Sequence, residues 1–279
     1  MAFVTRFAPS PTGPLHLGHA YSAILAHDRA RAAGGTFLLR MENTDLERCR
    51  PEYAAAICED LRWLGLTWDG PVQEQAPKIA SYNHRLEALA ERGLLYPCSC
   101  TRADIRAALS APQEGVAHQV YPGTCRGRPM KSRLPGDALR LDLGLALARL
   151  APALPAFEET GPHFAGHHPI QPAQALTEIG DVVLSRKGED IVAYFLASAF
   201  DDADQGITHV IRGEDLFTFT PIQVILQRLL GLPTPIYHHH PLIRDDQGKR
   251  LAKRDDARAL AKFRAEGASP EDIRHMIGL

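Results

Sequence analysis

The sequence predicts an α/β protein built on a parallel sheet, and three neighbouring segments near its start carry this prediction. Residues 3–7 and 36–41 are short apolar runs of strand length. Residues 18–33 between them are rich in alanine and end at Gly34-Gly35, which predicts a helix with a glycine stop. A strand, a helix and a strand at this spacing form a βαβ unit with parallel strands and a right-handed crossover.

Further along the chain, this alternation is interrupted once. Two helices follow the βαβ unit, from Pro51 to about Leu64 and from about Pro77 to Gly93. Regular structure resumes in the last third, where we expect strands at 181–185, 207–211 and 241–243, a helix from Thr220 to Gly231, and two short helices within 255–279.

The interruption lies in the middle of the chain, where residues 151–172 contain five prolines and are expected to form an irregular loop. We therefore predict a Rossmann-like nucleotide-binding core formed by residues 1–95 and 176–254. An inserted subdomain at 96–175 would interrupt it, and a short helical segment at 255–279 would follow. Ligands of such sheets bind at the carboxyl ends of the strands, and residues 9–19 lie at the first of those ends.

Composition excludes several classes of protein. The chain has 279 residues, of which 45% are hydrophobic, so it can bury a sizeable core. It has no run of ~20 apolar residues, and its start does not read as a secretory signal, so we expect a cytoplasmic protein. A formal net charge of −2 argues against a general nucleic-acid binder, so any RNA contact must come from a local patch.

A turn and two histidines mark the first expected site. Prolines and a glycine follow the first strand, and His16 and His19 flank Gly18 where a helix should start. Backbone N–H groups at a helix start favour phosphate, glycine lets a flat base approach the main chain, and imidazoles donate to phosphoryl oxygens. From these residues alone, the alternative is a surface helix start that carries two histidines.

A cluster of cations lies far downstream. Residues 248–254 read Gly-Lys-Arg-Leu-Ala-Lys-Arg and follow a predicted strand and a turn. A cationic loop led by glycine can close over polyphosphate and neutralise a charged transition state. The alternative is a solvated charged loop, which is what most such runs are.

Together these segments resemble a known family. The stretch RFAPSPTGPLHLGHA resembles the HIGH signature of class I aminoacyl-tRNA synthetases, in the form found in glutamyl and glutaminyl enzymes. RLAKR is similar to their KMSKS motif, although Arg250 replaces a usual lysine and Ala252 a usual serine. The resemblance implies that ATP, with Mg²⁺, is a substrate. Its catalytic residues would be His16, His19 and Lys253, and its ATP-binding residues would be these three together with Pro9, Gly18 and Arg250.

The same resemblance implies a site for L-glutamate, which offers two carboxylates and one ammonium. Arg6 and Arg212 are the expected carboxylate ligands because guanidinium binds carboxylate bidentately. Glu42 is the expected partner of the α-ammonium, and Tyr194 would supply a hydroxyl and a wall. The remaining glutamate-binding residues would be Phe7, Ala8, Pro9 and Ser10. From the residues alone, the alternatives are ordinary ion pairs and a core tyrosine.

Cysteines form a second constellation. Five cysteines is an odd number, which favours metal ligation or free thiols over a disulfide framework. Cys98, Cys100, Cys125 and Tyr121 offer three thiolates and one oxygen donor, enough for a tetrahedral structural Zn²⁺ site, and three buried free thiols are the alternative. CSCTR followed by YPGTC resembles the cysteine–tyrosine zinc site of one subfamily, the glutamyl-queuosine tRNA(Asp) synthetases. His118 or a water is the other candidate for the fourth ligand.

Two histidine runs invite a metal interpretation that we do not adopt. An alternating strand cannot direct three consecutive side chains at one ion, so residues 238–240 are interpreted as strand and loop residues near the active site. Residues 167–168 receive the same interpretation within the proline-rich loop.

The activity that the resemblance implies is activation of L-glutamate with ATP as glutamyl adenylate. Only 25 residues follow Arg254, so we expect no anticodon-binding domain, and in this family a short end marks enzymes that modify tRNA. The implied acceptor is queuosine at the wobble position of tRNA(Asp), and a monomer is expected. The alternatives are a compact glutamyl-tRNA synthetase that charges the tRNA 3′ end and an inactive synthetase-like paralogue that binds RNA.

Overall fold

A computed structural model describes residues 2–101, 103–105, 120–185, 192–243 and 259–279. Its strands are β1 (Val4–Phe7), β2 (Thr36–Met41), β3 (Gln73–Glu74), β4 (Leu95–Cys98), β5 (Ala138–Leu141), β6 (Ala156–Glu159), β7 (Gly166–Pro169), β8 (Val183–Ser185), β9 (His209–Gly213) and β10 (Ile236–His240). Its helices are α1 (Leu17–Ala32), α2 (Pro51–Trp63), α3 (Ile79–Glu91), α4 (Leu143–Leu150), α5 (Pro172–Glu178), α6 (Tyr194–Asp204), α7 (Thr220–Leu230), α8 (Leu260–Ala265) and α9 (Pro270–Ile277).

Parallel strands form the centre of the molecule, as predicted. Strand β2 lies between β1 and β3, and β10 lies between β9 and β6, with all of these neighbours parallel. The two groups meet where the backbone N–H of Thr208 donates to Val4 O (2.9 Å) and Val4 N donates to Thr208 Oγ1 (2.8 Å). Strand β1 therefore lies beside β9. The order in which the chain adds strands to the sheet reverses at that point, and α/β proteins bind ligands at such a reversal.

Most elements agree with the sequence predictions. The first strand, helix and strand occur within one or two residues of their predicted bounds. Helix α7 starts at Thr220 and ends at Leu230, with Gly231 as its C-cap. Gly231 has a φ of 67°, a left-handed conformation that favours glycine, which explains why the helix ends there. The two short C-terminal helices are also present, as α8 and α9.

Two predictions are wrong, the irregular loop at 151–172 and the strand at 241–243. The proline-rich residues 151–172 contain strands β6 and β7, which pair antiparallel with each other, and β6 joins β10 of the parallel sheet. Residues 241–243 were predicted to form a strand, but the strand is β10 and ends at His240. Pro241 has no N–H to donate to a sheet, which explains the stop.

A small antiparallel sheet, in the order β4-β5-β8, accompanies the parallel one. Buried Asp181 ties it together, because its carboxylate accepts hydrogen bonds from Tyr96 Oη (2.5 Å) and from the backbone N–H of Leu143 (3.0 Å). The proposed division into core and insert stays a prediction, although β6 and β7 lie within 96–175 and belong to the β9–β10 sheet.

The C-terminal helices pack against the first half of the chain. Ile273 and Ile277 of α9 are buried in the same hydrophobic cluster as the alanines of α1, and Arg274 binds Asp28 of α1 at 2.7 Å. Within the described part of the chain, no helix combines the length and the apolar character that a membrane crossing requires.

Candidate active site and cysteine cluster

A cavity of about 450 Å³ opens at the carboxyl ends of β1, β9 and β10. It brings together residues that are far apart in the sequence and that the sequence analysis had assigned to ATP or glutamate. The predicted residues that line it are Arg6, Phe7, Ala8, Pro9, Ser10, His16, Gly18, His19, Tyr194 and Arg212.

The two histidines of the front motif cap helix α1 with their rings. His16 is the N-cap residue, and its Nδ1 accepts the backbone N–H of Gly18 (3.1 Å), while His19 Nδ1 accepts the backbone N–H of His16 (3.2 Å). An Nδ1 that accepts an N–H carries no proton, so each neutral ring carries its proton on Nε2. A side chain on Gly18 would place its Cβ 3.1 Å from His16 Cε1, so glycine leaves room for the capping ring.

Arg6 is held by a buried charge network behind the cavity wall. Its Nε donates to Asp202 Oδ1 (2.9 Å), and Arg40 Nη1 donates to the same oxygen (2.9 Å). Burial opposes ionisation of Asp202, but the charges of Arg6 and Arg40 and their hydrogen bonds outweigh it and keep its pKa below the usual value. The carboxylate therefore stays charged and fixes the orientation of Arg6.

Glu42 is buried but is absent from the described residues that line the cavity. Its Oε1 accepts a hydrogen bond from Arg40 Nη2 at 3.3 Å. Burial raises the pKa of Glu42, and the positive charges of Arg40 and Arg6 partly offset that effect. Burial, and then the charge of Glu42, raise the pKa of Tyr194, which lies on the cavity wall.

Three partners hold Arg212. Its Nε donates to His239 Nε2 (2.9 Å), Nη1 to Gln223 Oε1 (2.6 Å) and Nη2 to Thr220 Oγ1 (2.9 Å). Arg212 is 6% exposed and lines the cavity, so its guanidinium is prearranged for a ligand.

The three histidines of β10 have different surroundings, and the alternation of a strand places His239 on the opposite face from His238 and His240. His238 lies beside Thr160, and His239 is buried against Glu159 and Arg212. His240 lines the cavity and its Nε2 lies 2.7 Å from Ser22 Oγ. The run lies at the cavity, but sequence reasoning missed the contacts of His239 and His240 because their partners are distant in the sequence.

Arg250, Ala252 and Lys253 lie outside the described residues, so the predicted contact of Lys253 with ATP stays a prediction. The described residues on both sides of this segment lie at the cavity. Leu242 and Ile243 line it, and Ala259 pairs with His16 in an antiparallel bridge.

The second predicted site is a compact cluster. The Sγ atoms of Cys98, Cys100 and Cys125 lie within 4.8 Å of one another, and Tyr121 Oη is 3.5 Å from the Sγ of both Cys98 and Cys100. Arg140 Nε donates to Cys98 Sγ at 3.3 Å, which suits a thiolate. Soft sulfur donors and one phenol oxygen around a small space fit Zn²⁺. His118 lies outside the described residues.

Comparison with known proteins identifies the family. The family described as tRNA synthetases class I (E and Q), catalytic domain, matches residues 2–131 and 169–279. The chain belongs to this family. Proteins named Glutamyl-Q tRNA(Asp) synthetase are among its relatives. The one from Rhodobacter capsulatus is 59% identical, with 99% of this chain and 100% of that protein aligned. The one from Thiobacillus denitrificans is 42% identical over 93% of this chain and 80% of its own length.

Solved structures give the same fold. A glutamate tRNA ligase from Elizabethkingia meningosepticum, crystallised with its amino acid, superposes with a TM-score of 0.77 at 26% identity. All of this chain is covered, but it spans only 61% of the ligase chain. A methionyl-tRNA synthetase from Mycobacterium tuberculosis, at 13% identity and a TM-score of 0.64, shares the fold.

Proposed function

We propose that this protein is a ligase that activates L-glutamate with ATP and transfers glutamate to queuosine at the wobble position of tRNA(Asp). The observation that carries the proposal is the 59% identity, over 99% of this chain and all of the other protein, to a protein named Glutamyl-Q tRNA(Asp) synthetase. The cavity supports it, because cationic, imidazole and backbone donors surround a space large enough for a nucleotide and an amino acid.

The phosphates of ATP would lie at the start of α1. The N-terminal N–H groups of a helix attract anions, and the Nε2–H groups of His16 and His19 add two directed donors. Pro9 and Gly18 would line the nucleotide, and Arg250 and Lys253 would neutralise the phosphates. Mg²⁺ would enter with ATP, since Asp215 is the single carboxylate among the described lining residues.

Glutamate would lie between Arg6, Arg212 and Tyr194. Its α-carboxylate attacks the α-phosphorus of ATP in line, a bond forms between carboxylate oxygen and phosphorus, and diphosphate leaves. Catalysis then consists of positioning and charge stabilisation, without a covalent enzyme intermediate. Glu42 remains our candidate for the α-ammonium because its backbone N–H donates to Pro9 O (3.0 Å), and Pro9 lines the cavity. Phe7, Ala8, Pro9 and Ser10 would form the floor.

Zn²⁺ would be held by Cys98, Cys100, Cys125 and Tyr121 and would have a structural role. Four protein ligands close the coordination sphere, and a closed site stabilises a fold rather than activating water. The ion would join β4 to the segment that carries Tyr121 and Cys125.

The direct test is ATP–diphosphate exchange followed by transfer of labelled glutamate. We expect exchange that depends on glutamate and needs no RNA, then labelling of tRNA from cells that make queuosine. Strong dependence of exchange on added tRNA, or equal use of glutamine, would contradict the proposal. Equal labelling of tRNA from cells that lack queuosine would favour the other candidate, a compact glutamyl-tRNA synthetase, which the likeness to the glutamate tRNA ligase supports.

A further inference from the structure

Strand β6 presents two neighbouring glutamates to opposite environments. Glu158 faces solvent, with its side chain 55% exposed, and its Oε1 lies 2.6 Å from His167 Nδ1. The side chain of Glu159 is fully buried and contacts His239 Nδ1 through Oε2. Strand β6 thus makes two glutamate–histidine contacts, one on the protein surface and one in the interior.

Glu159 is held in one orientation. Its Oε1 accepts two backbone hydrogen bonds, from the N–H of His239 (2.9 Å) and of Gly161 (2.6 Å). Gly161 is required for this approach, since a Cβ there would lie 2.1 Å from His239 O. Burial disfavours the carboxylate, but the hydrogen bonds from His239 and Gly161 outweigh it and lower the pKa of Glu159 to about 2.

A chain of hydrogen bonds runs from Arg212 through His239 to Glu159, and the donor of each bond can be assigned. A guanidinium nitrogen only donates, so His239 Nε2 must accept the proton of Arg212 Nε. The ring proton therefore resides on Nδ1 and points at the carboxylate of Glu159. Burial lowers the pKa of His239, which keeps the ring neutral and keeps this arrangement at neutral pH.

We propose that Glu159 and His239 are positioning residues that fix the Nε edge of Arg212 so that the guanidinium meets the carboxylate of the amino-acid substrate. The inference rests on the proposed role of Arg212 as a glutamate ligand. Gln223 accepts one N–H from Nη1 and Thr220 accepts one from Nη2. Among the described residues neither nitrogen has a second acceptor, so each has an N–H to offer in a bidentate contact. A guanidinium held at three nitrogens cannot rotate to follow a misplaced ligand.

The decisive variant is Glu159→Gln. Its amide oxygen is drawn to the two backbone N–H groups, so its NH₂ group faces His239 Nδ1 and drives the ring proton to Nε2. Two donors, Nε2–H and Arg212 Nε–H, then oppose each other, and the bond between them is lost. We expect KM for glutamate to rise by roughly 10-fold, the loss of one hydrogen bond to a charged group, with KM for ATP unchanged.

Glu158→Gln is the matched control, because it makes the same chemical change one residue away and should leave both KM values unchanged. Thermal denaturation of both variants separates misfolding from misplacement. If Glu159→Gln does not fold, the ¹⁵N shifts of the His239 ring in the unaltered protein decide. The Nδ1–H tautomer supports the inference, and the Nε2–H tautomer or an imidazolium overturns it.

Arg212→Lys separates this inference from the proposed function. If Arg212→Lys leaves KM for glutamate unchanged, Arg212 does not bind the substrate carboxylate and the proposed role fails. If Arg212→Lys raises that KM while a folded Glu159→Gln does not, the role of Arg212 stands and the positioning role of Glu159 and His239 is overturned.

Discussion

His16 and His19 each use Nδ1 to cap helix α1, and we propose that Nε2 of each ring donates to ATP. Each Nδ1 accepts a backbone N–H at the start of α1, so the helix itself fixes the tautomer that presents Nε2–H. If this proposal is right, stability and catalysis depend on different atoms of the same side chain, and a substitution can remove one without the other.

His16→Asn tests this division. Asparagine is a favoured N-cap and keeps the acceptor, so the free energy of unfolding should change by less than about 1 kcal/mol. The ring donor is lost, and the rate of glutamate-dependent ATP–diphosphate exchange should fall about 100-fold. His27→Asn, on the same helix but outside the cavity lining, is the control and should exchange at the normal rate. Full activity of His16→Asn would contradict a role for this ring in ATP activation.

At this scale, sequence reasoning found the residues that form local patterns. Residues 6–19 were found because one short stretch carries a turn, a glycine and two histidines. Glu159 was missed because its partner His239 lies 80 positions away, and nothing near either residue indicates the pairing. A glutamate within a proline-rich stretch reads as a solvent-exposed residue until the opposite strand is known.

Helix α8 is the first described element after the segment of Arg250 and Lys253, and it is anchored on α2. Arg264 of α8 binds Glu59 at 3.0 Å and lies 3.7 Å from Asp60. Asp60 is 2% exposed, and among the described residues its Oδ1 has no hydrogen-bond donor. Burial raises its pKa to about 6, and Arg264 offsets only part of that effect.

Asp60→Asn should therefore stabilise the protein in a pH-dependent way. The folded pKa of about 6 lies above the ordinary value of 3.8, so the ionised carboxylate destabilises the fold above pH 6. This cost disappears as pH falls through 6 towards 3.8. We compare the free energy of unfolding of Asp60→Asn with that of the unaltered protein at each pH. This difference should favour Asp60→Asn by about 2 kcal/mol more at pH 8 than at pH 4.5. Denaturant unfolding at the two pH values measures it.

Glu59→Gln is the control for this helix contact, since Glu59 binds the same arginine with its side chain 67% exposed. Its stability difference should be small at both pH values, because exposed ion pairs contribute little. If the stability difference between Asp60→Asn and the unaltered protein did not change with pH, burial of the ionised Asp60 carboxylate would not destabilise the fold.

Element prediction succeeded where composition or start and stop residues marked a helix. Alanine content and Gly34-Gly35 marked α1, and Thr220-Pro221 and Gly231 marked α7. It failed at 151–172 because proline count outweighed a short strand signal. Strand β6 is four residues long, and one of its two buried side chains is the glutamate that pairs with His239. Its polar interior position hides the alternation that identifies a strand.

For the molecule as a whole, the cysteine cluster joins parts of the chain that share little other core. Cys98 and Tyr121 are buried with Cys125 in a small hydrophobic cluster of their own, separate from the two large ones. A metal there would supply the cohesion that such a small core cannot. The members of the cluster were predicted from spacing and resemblance, whereas the supporting contact of Arg140 was not.

Cys125→Ala should release Zn²⁺ and lower Tm by roughly 5–10 °C, with activity lost indirectly. Metal analysis of the purified protein and thermal unfolding check this. Cys58 lies in α2 outside the cluster, so the Cys58→Ala variant is the control and should keep its metal. Purified protein with well under one zinc per chain would contradict the site.

The most direct test of the central claim is where labelled glutamate is attached on tRNA(Asp). After reaction with ATP, labelled glutamate and queuosine-containing tRNA(Asp), nuclease digestion at mildly acidic pH separates the anticodon fragment from the 3′-terminal nucleotide. Our account predicts label in the anticodon fragment, and none there when the same tRNA lacks queuosine. Label at the 3′-terminal nucleotide, with or without queuosine, would contradict it.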